Sequence, residues 1–124
     1  MFKILFQEIE SKISLTYEEG KICRGLFIPK KVRKRQYILQ QGDLCKNLAF
    51  VEKGALRSYT VDEKGNEHIL QFALEGWWIS DIYSFLTQEP SDYNIDVIED
   101  SELLLITNPG LEELYERVPK FERY

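Results

Sequence analysis

The sequence predicts a mainly β domain flanked by helices, its strands arranged as an antiparallel roll, sandwich or barrel. Two observations carry this expectation. Gly42, Gly54, Gly65 and Gly76 recur at intervals of 12, 11 and 11 residues, each punctuating a run of apolar, β-branched or aromatic residues. Short strands with turn signals about every 8–12 residues build folds of this kind. On either side of that rhythm, apolar residues repeat at helical spacing instead.

Phe2, Leu5, Phe6, Ile9 and Ile13 define the first element, an amphipathic helix with one face on the core. Thr16-x-x-Glu19 has the form of a capping box, so a second short helix is expected from Tyr17 to near Gly25, with Pro29 preventing its extension. Lys30-Lys31-Val32-Arg33-Lys34-Arg35 is a basic run, read as the solvated approach to the first strand rather than an anion patch. The strands follow as Gln36–Gln40, Asn47–Glu52, Ala55–Val61 and Glu67–Leu74. Gln41-Gly42-Asp43, Lys53-Gly54, Asp62-Glu63-Lys64-Gly65 and Glu75-Gly76 are the turns, with glycine available where φ must be positive.

Trp77-Trp78-Ile79-Ser80-Asp81-Ile82-Tyr83-Ser84-Phe85 is an apolar stretch interrupted by small and acidic residues, the place where a ligand would sit. Adjacent Trp77 and Trp78 on a strand point to opposite faces, so only one reaches the core by that route. Thr87 to Asp92 is a polar loop. Tyr93, Ile95 and Val97 alternate with Asn94 and Asp96, a strand with one buried face. Glu99-Asp100-Ser101 is read as a turn before a last strand, Glu102–Ile106. Asn108 is a good N-cap and Pro109 suits the first helical turn, with Leu111, Leu114, Tyr115 and Val118 as the apolar stripe. The layout is thus one domain over 1–124: helices in 1–28, the strands in 30–107, and a helix plus the opening of another in 108–124. That last opening, Lys120 to Tyr124, stops within about one turn, too short to be stable alone, so the sequence is expected to continue in a longer protein.

The bulk properties narrow the function. At 124 residues the chain is one domain by length and can bury a single core. Its net charge of −5 lacks the clustered positive footprint of nucleic-acid binding. Cys23 and Cys45 have no metal-ligand spacing and read as reduced, partly buried thiols. The apolar run Met1–Phe6 is too short for a secretory signal, and no stretch approaches the ~20 apolar residues that span a bilayer. A cytoplasmic location with no membrane contact is the expectation. His68 is the sole histidine, and catalytic zinc needs about three protein ligands, so no metal site is expected. There is no phosphate-cradling Gly-Lys-Ser/Thr loop and no catalytic set, so the expectation is that the chain is not an enzyme.

Gln41-Gly42-Asp43, Phe50-Val51-Glu52-Lys53-Gly54-Ala55-Leu56, Asp62-Glu63-Lys64-Gly65-Asn66-Glu67-His68-Ile69-Leu70 and Gly76-Trp77-Trp78-Ile79 closely resemble the cyclic-nucleotide-binding domain of the Crp/Fnr transcription regulators. The resemblance covers Gln41 to Ile106, about half the chain. It implies an antiparallel β-roll of the double-stranded β-helix, or jelly-roll, type. It also implies the sensor half of a regulator whose dimerisation helix and helix-turn-helix DNA-binding domain would begin near Phe121 and lie beyond Tyr124. Homodimerisation of the full-length protein, a small-molecule effector, and DNA contact only through that further domain are the partners it implies.

The phosphate-binding cassette departs from the family's pattern. Nucleotide-binding members carry Gly-Glu after the ladder and Arg followed by Ser or Thr some residues on; Arg and backbone N–H groups neutralise the phosphate while Glu holds the ribose hydroxyl. Here Ser80-Asp81 stands at the first position and, counted without gaps, Ser91-Asp92 at the second. Ser91 supplies no charge and Asp92 the wrong sign, so an anion's desolvation would go uncompensated. The candidate pocket is therefore Ser80, Asp81, Ile82, Tyr83, Ser91 and Asp92, with Leu70, Phe72, Phe85 and Tyr93 as its walls. No cofactor is called for, and a cyclic nucleotide is disfavoured as ligand. The alternative is a ligand-free roll serving as an interaction or dimerisation module.

Overall fold

The computed structural model describes residues 2–123; Met1 and Tyr124, the last residue of the expected further helix, lie outside the described residues. The order is α1 (Lys3–Glu10), α2 (Tyr17–Leu26), β1 (Ile28–Val32), β2 (Tyr37–Leu39), β3 (Asn47–Val61), β4 (Glu67–Leu74), β5 (Trp78–Ile79), α3 (Ile82–Thr87), β6 (Asn94–Thr107) and α4 (Asn108–Arg117), then a 3-10 turn, Pro119–Arg123. All pairings are antiparallel along β1-β6-β3-β4, with β2 added to β6 and β5 to β3. This is the mainly antiparallel β-roll with flanking helices that the sequence predicts.

Local chemistry explains most elements. The capping box at α2 forms as read: Glu19 N–H donates to Thr16 Oγ1 at 3.1 Å and Thr16 N–H to Glu19 Oε1 at 2.9 Å. At the β3–β4 hairpin, Asp62 Oδ1 accepts from the N–H groups of Lys64 and Asn66, and Gly65 takes φ +85°. His68 Nε2 lies 3.0 Å from Asp62 Oδ2, and the Asp62 carboxyl is held down at about 2, first by that contact. The first helix ends at Glu10 rather than reaching Ile13, with Ser11 Oγ donating to the Glu8 carbonyl.

Two expected turns are not turns. β3 runs for 15 residues straight through Gly54, and β6 for 14 through Glu99–Ser101. A flat strand of 15 residues would extend about 50 Å, well beyond a small domain of about 30 Å. It must therefore bend. The β3–β6 register shifts at Val51/Lys53, Lys53/Ala55 and Ala55/Leu56, a bulged region around Gly54, whose φ is +105°. Bulge and turn make the same demand on the backbone, which is why glycine reads as either.

Two further expectations are corrected, and one stretch with no assigned elements gains them. The basic run is not merely a solvated approach: Ile28–Val32 is β1, paired to β6 through Pro29, Lys30 and Lys31. It lies at the edge of the sheet, where a missing N–H and solvent-exposed lysines are tolerated. The apolar stretch holds β5 and α3. The N-cap of α4 is Thr107, whose Oγ1 accepts from Gly110 N–H at 3.0 Å, one residue before Asn108.

Packing divides at the sheet. Ala49, Val51, Leu103 and Leu105 enter the roll interior with Leu56, Ile79, Phe85 and Ile95. The alternate residues Phe50, Leu104 and Ile106 meet Leu5, Ile9, Cys23, Phe27 and Leu114 of the helices on the other side. Strand alternation supplies both faces from one sequence. Trp78 packs on Phe50 and Phe27, with ring centroids 5.0 and 6.1 Å away, while Trp77, just before β5, is exposed. Cys23 and Cys45 are free and buried, each thiol pushed up by desolvation, Cys23 to about 12. No described helix is long and apolar enough to cross a membrane.

Candidate functional site

Asp81 is the N-cap of α3. Its Oδ1 accepts from Ser84 N–H at 3.1 Å, satisfying one orphan donor of a six-residue helix. Its Oδ2 accepts from the Ser91 hydroxyl at 2.6 Å. Ser91 Oγ in turn accepts from Tyr93 N–H at 3.0 Å. Asp81 and Ser91 are 6% and 2% exposed, so both oxygens of the carboxylate and the serine hydroxyl face inward.

The two ends of the segment are also fastened to the turn before β3. Gly42 N–H donates to the Ser91 carbonyl and Ser91 N–H to the Asp43 carbonyl, both at 2.8 Å. Leu44 and Pro90 form an antiparallel bridge. Cys45 N–H donates to Ser84 Oγ at 2.9 Å, and Ser84 Oγ donates to the Glu89 carbonyl. Ser84 is not among the residues expected at the site, although Asp81-x-x-Ser84 carries a legible capping signal.

The remaining candidates separate. Phe85 is 1% exposed and belongs to the roll core. Ile82 and Tyr83 stand out from α3, and Tyr83 Oη donates to Glu89 Oε2 at 3.1 Å, which raises the phenol's pKa. Ser80 is half-buried and Asp92 is exposed. Leu70 and Phe72 lie on β4 with side chains 51% and 54% exposed, and Tyr93 is at the margin of exposure. The structure thus joins Asp81 to Ser91 and leaves Leu70, Phe72, Ile82, Tyr83 and Asp92 at the surface. The four expected wall residues do not share one enclosed surface.

Chemically, the Asp81–Ser91 pair is a closed hydrogen-bonded clasp. A phosphate placed against it would meet a buried carboxylate with no guanidinium to offset its charge. Among the described residues, no group of three or more His, Cys, Asp or Glu side chains could hold a metal ion. Asp81→Ala is expected to remove the α3 cap and take from the buried Ser91 hydroxyl its short acceptor, costing about 1–3 kcal/mol. Hydrogen exchange should quicken in Ile82–Thr87 and around Gly42–Asp43; unchanged exchange in α3 would contradict the assignment.

Comparison with known proteins places the domain. The family model described as the cyclic nucleotide-binding domain matches residues 29–118. The fumarate and nitrate reduction regulatory protein of Vibrio cholerae is 28% identical over 94 residues, covering 76% of this chain and 37% of that protein. The catabolite activator protein of Thermus thermophilus superposes with a TM-score of 0.75 at 25% identity, over 86% of this chain and 49% of that one. The sensor domain of the transcriptional regulator DNR from Pseudomonas aeruginosa shares the fold with a TM-score of 0.72 at 16% identity, over 91% and 71%. The chain spans little more than a third of the length of that Vibrio relative.

Proposed function

Because the chain belongs to the cyclic nucleotide-binding domain family, we propose that it is the effector-sensing domain of a Crp/Fnr-like transcription regulator, with a cassette that does not take cyclic AMP through the usual contacts. The match over residues 29–118 and the regulatory names of its relatives support the sensor reading. The observation that carries the second half is the buried bond from Ser91 to Asp81. Those two positions hold phosphate and ribose in nucleotide-binding members; here they satisfy each other. Asp92 and Glu89 add negative charge to the same segment.

In this mechanism an uncharged or differently charged effector acts on the segment Ser80–Asp92. α3 is coupled to the turn before β3 through Ser84 and Cys45, so a shift of α3 moves both ends of that segment together. In a full-length cytoplasmic homodimer the shift would pass to a following helix, and DNA would be met only by a further C-terminal domain.

One observation favours the second reading, a ligand-free interaction module. Leu70, Phe72 and Leu74 form a row on one face of β4, each about half exposed, and among the described residues β4 pairs with β3 alone. Such a row on an edge strand invites a partner. A thermal-shift screen against metabolites separates the two. A ligand at a hundred times its Kd adds about 2.7 kcal/mol, a shift of several degrees. The sensor reading expects a reproducible hit that Asp81→Ala or Tyr83→Ala abolishes; no hit at all would favour the module.

A further inference from the structure

A separate cavity of about 170 Å³ opens beside the clasp, between β1, β2, the loop before β3 and the start of the cassette. Asp81, Ser91 and Asp92 do not line it. Its floor is aliphatic: Leu39, Ala49, Ile79, Ile95 and Leu105, all buried. Its polar side chains are Lys30, Lys46, Asn47 and Ser80. Both lysines are exposed, and neither has an ion-pair or hydrogen-bond partner among the described residues; nor do the half-buried side chains of Asn47 and Ser80. The Cys45 thiol is already engaged, donating to the Asn47 carbonyl at 3.4 Å. No aspartate or glutamate lines the cavity.

Four donor-bearing residues therefore line a cavity with an apolar floor and no acidic lining residue, in a chain whose net charge is −5. Lys30 comes from an edge strand and Lys46 from a loop 16 residues on, and the fold brings both to the lining of one cavity. A carboxylate can accept from ammonium, amide and hydroxyl donors together, and charge-assisted bonds of this kind are the strong ones. The floor requires an apolar body. A cavity of about 150 Å³ accommodates benzene, so this one takes a body of about six or seven heavy atoms and is far too small for a nucleotide.

We propose that this cavity binds a small monocarboxylate with a compact aromatic or branched aliphatic body, its carboxylate toward Lys30, Lys46, Asn47 and Ser80. The inference shares Ser80 with the segment on which the sensor reading has its effector act, but Asp81 and Ser91 of the clasp do not line the cavity. Ser80 and Cys45 nevertheless place the site against the base of α3, through Asp81 and Ser84.

The test is an NMR titration of the isotopically labelled protein with benzoate, benzamide and biphenyl-4-carboxylate. Benzoate is expected to give saturable shifts at Lys30, Leu44–Asn47 and Ser80. Benzamide, without the charge, should bind at least about tenfold more weakly, and biphenyl-4-carboxylate should not fit. The double substitution Lys30→Met with Lys46→Met, on exposed residues, should keep the folded spectrum and weaken benzoate by about tenfold or more. Equal binding of benzamide, saturation mapped to other residues, or no saturable shift in the folded protein would each overturn the proposal. Cyclic-nucleotide titrations report on the clasp instead, so failure of one inference is distinguishable from failure of the other.

Discussion

Gly54→Ala is expected to be among the most damaging single substitutions in the roll, costing about 2–5 kcal/mol. A methyl group at residue 54 would lie 2.6 Å from Ser101 Cβ and 2.8 Å from Ser101 Cα, and would collide with Ser101 Oγ. The backbone there also holds φ at +105°, which disfavours any side chain by about 1–2 kcal/mol. Overpacking against a neighbouring strand adds about 1–3 kcal/mol. Relief by movement is blocked, because Ser101 is committed: its Oγ accepts from Ala55 N–H at 3.1 Å and donates to the Glu99 carbonyl at 2.7 Å. Urea denaturation checks the size of the loss. Ser101→Gly in the same chain should restore only part of it, since the close approach to the residue 101 backbone and the strained φ remain. A loss below about 1 kcal/mol would mean that the bulge is not the rigid junction of β3 and β6.

Glu52→Ala is expected to cost about 2–3 kcal/mol and to release α1 before anything else. Glu52 is 6% exposed, and its two oxygens accept from Ile4 N–H at 2.7 Å and Leu5 N–H at 3.0 Å. These are first-turn donors that Phe2, the N-cap residue, does not satisfy with its side chain. The carboxylate also lies at the positive end of the helix dipole. An eight-residue helix has little stability alone, so α1 is held by this anchor and by Leu5 and Ile9 in the second core. Hydrogen exchange by NMR should show α1 opening in the variant while α2 and the sheet stay protected. Glu52→Gln keeps one good acceptor and should lose about half as much. Uniform loss of protection across the domain would contradict a local anchor.

These two residues also show where the sequence stops being legible. Gly54 reads as a turn because its neighbours alternate like strand ends; only its approach to Ser101, far along the chain, reveals a bulge. Glu52 lies next to Lys53 and Gly54 and looks like ordinary polar punctuation, yet its partners are in the first helix. By contrast, the capping box at Thr16 and Glu19, the hairpin at Asp62–Gly65 and the split between Trp77 and Trp78 depend on neighbours in sequence, and all three form as read. In the candidate site, the altered residue types at Ser80-Asp81 and Ser91-Asp92 are visible in the sequence, but the bond from Ser91 to Asp81 is not. Likewise Leu70 and Phe72 have the composition of a pocket wall, and only their place on an edge strand shows that they face outward. Hydrophobic pattern identifies which residues are apolar, while topology decides which of them find cover.

The clasp has a physical consequence for any anion. Opening it would expose a buried carboxylate and a buried hydroxyl that now satisfy each other, at a cost of about 1–3 kcal/mol for each orphaned group. A phosphate would have to overcome that cost and the repulsion from Asp81 and Asp92, with no arginine between Lys64 and Arg117 to offset them.

Calorimetric titration of the protein with cyclic AMP and cyclic GMP therefore tests the central claim most directly. The clasp predicts no saturable heat in the micromolar range for either nucleotide, and no change in the exchange protection of α3. Stoichiometric binding of either at micromolar affinity or tighter, lost on substituting Asp81, would contradict it.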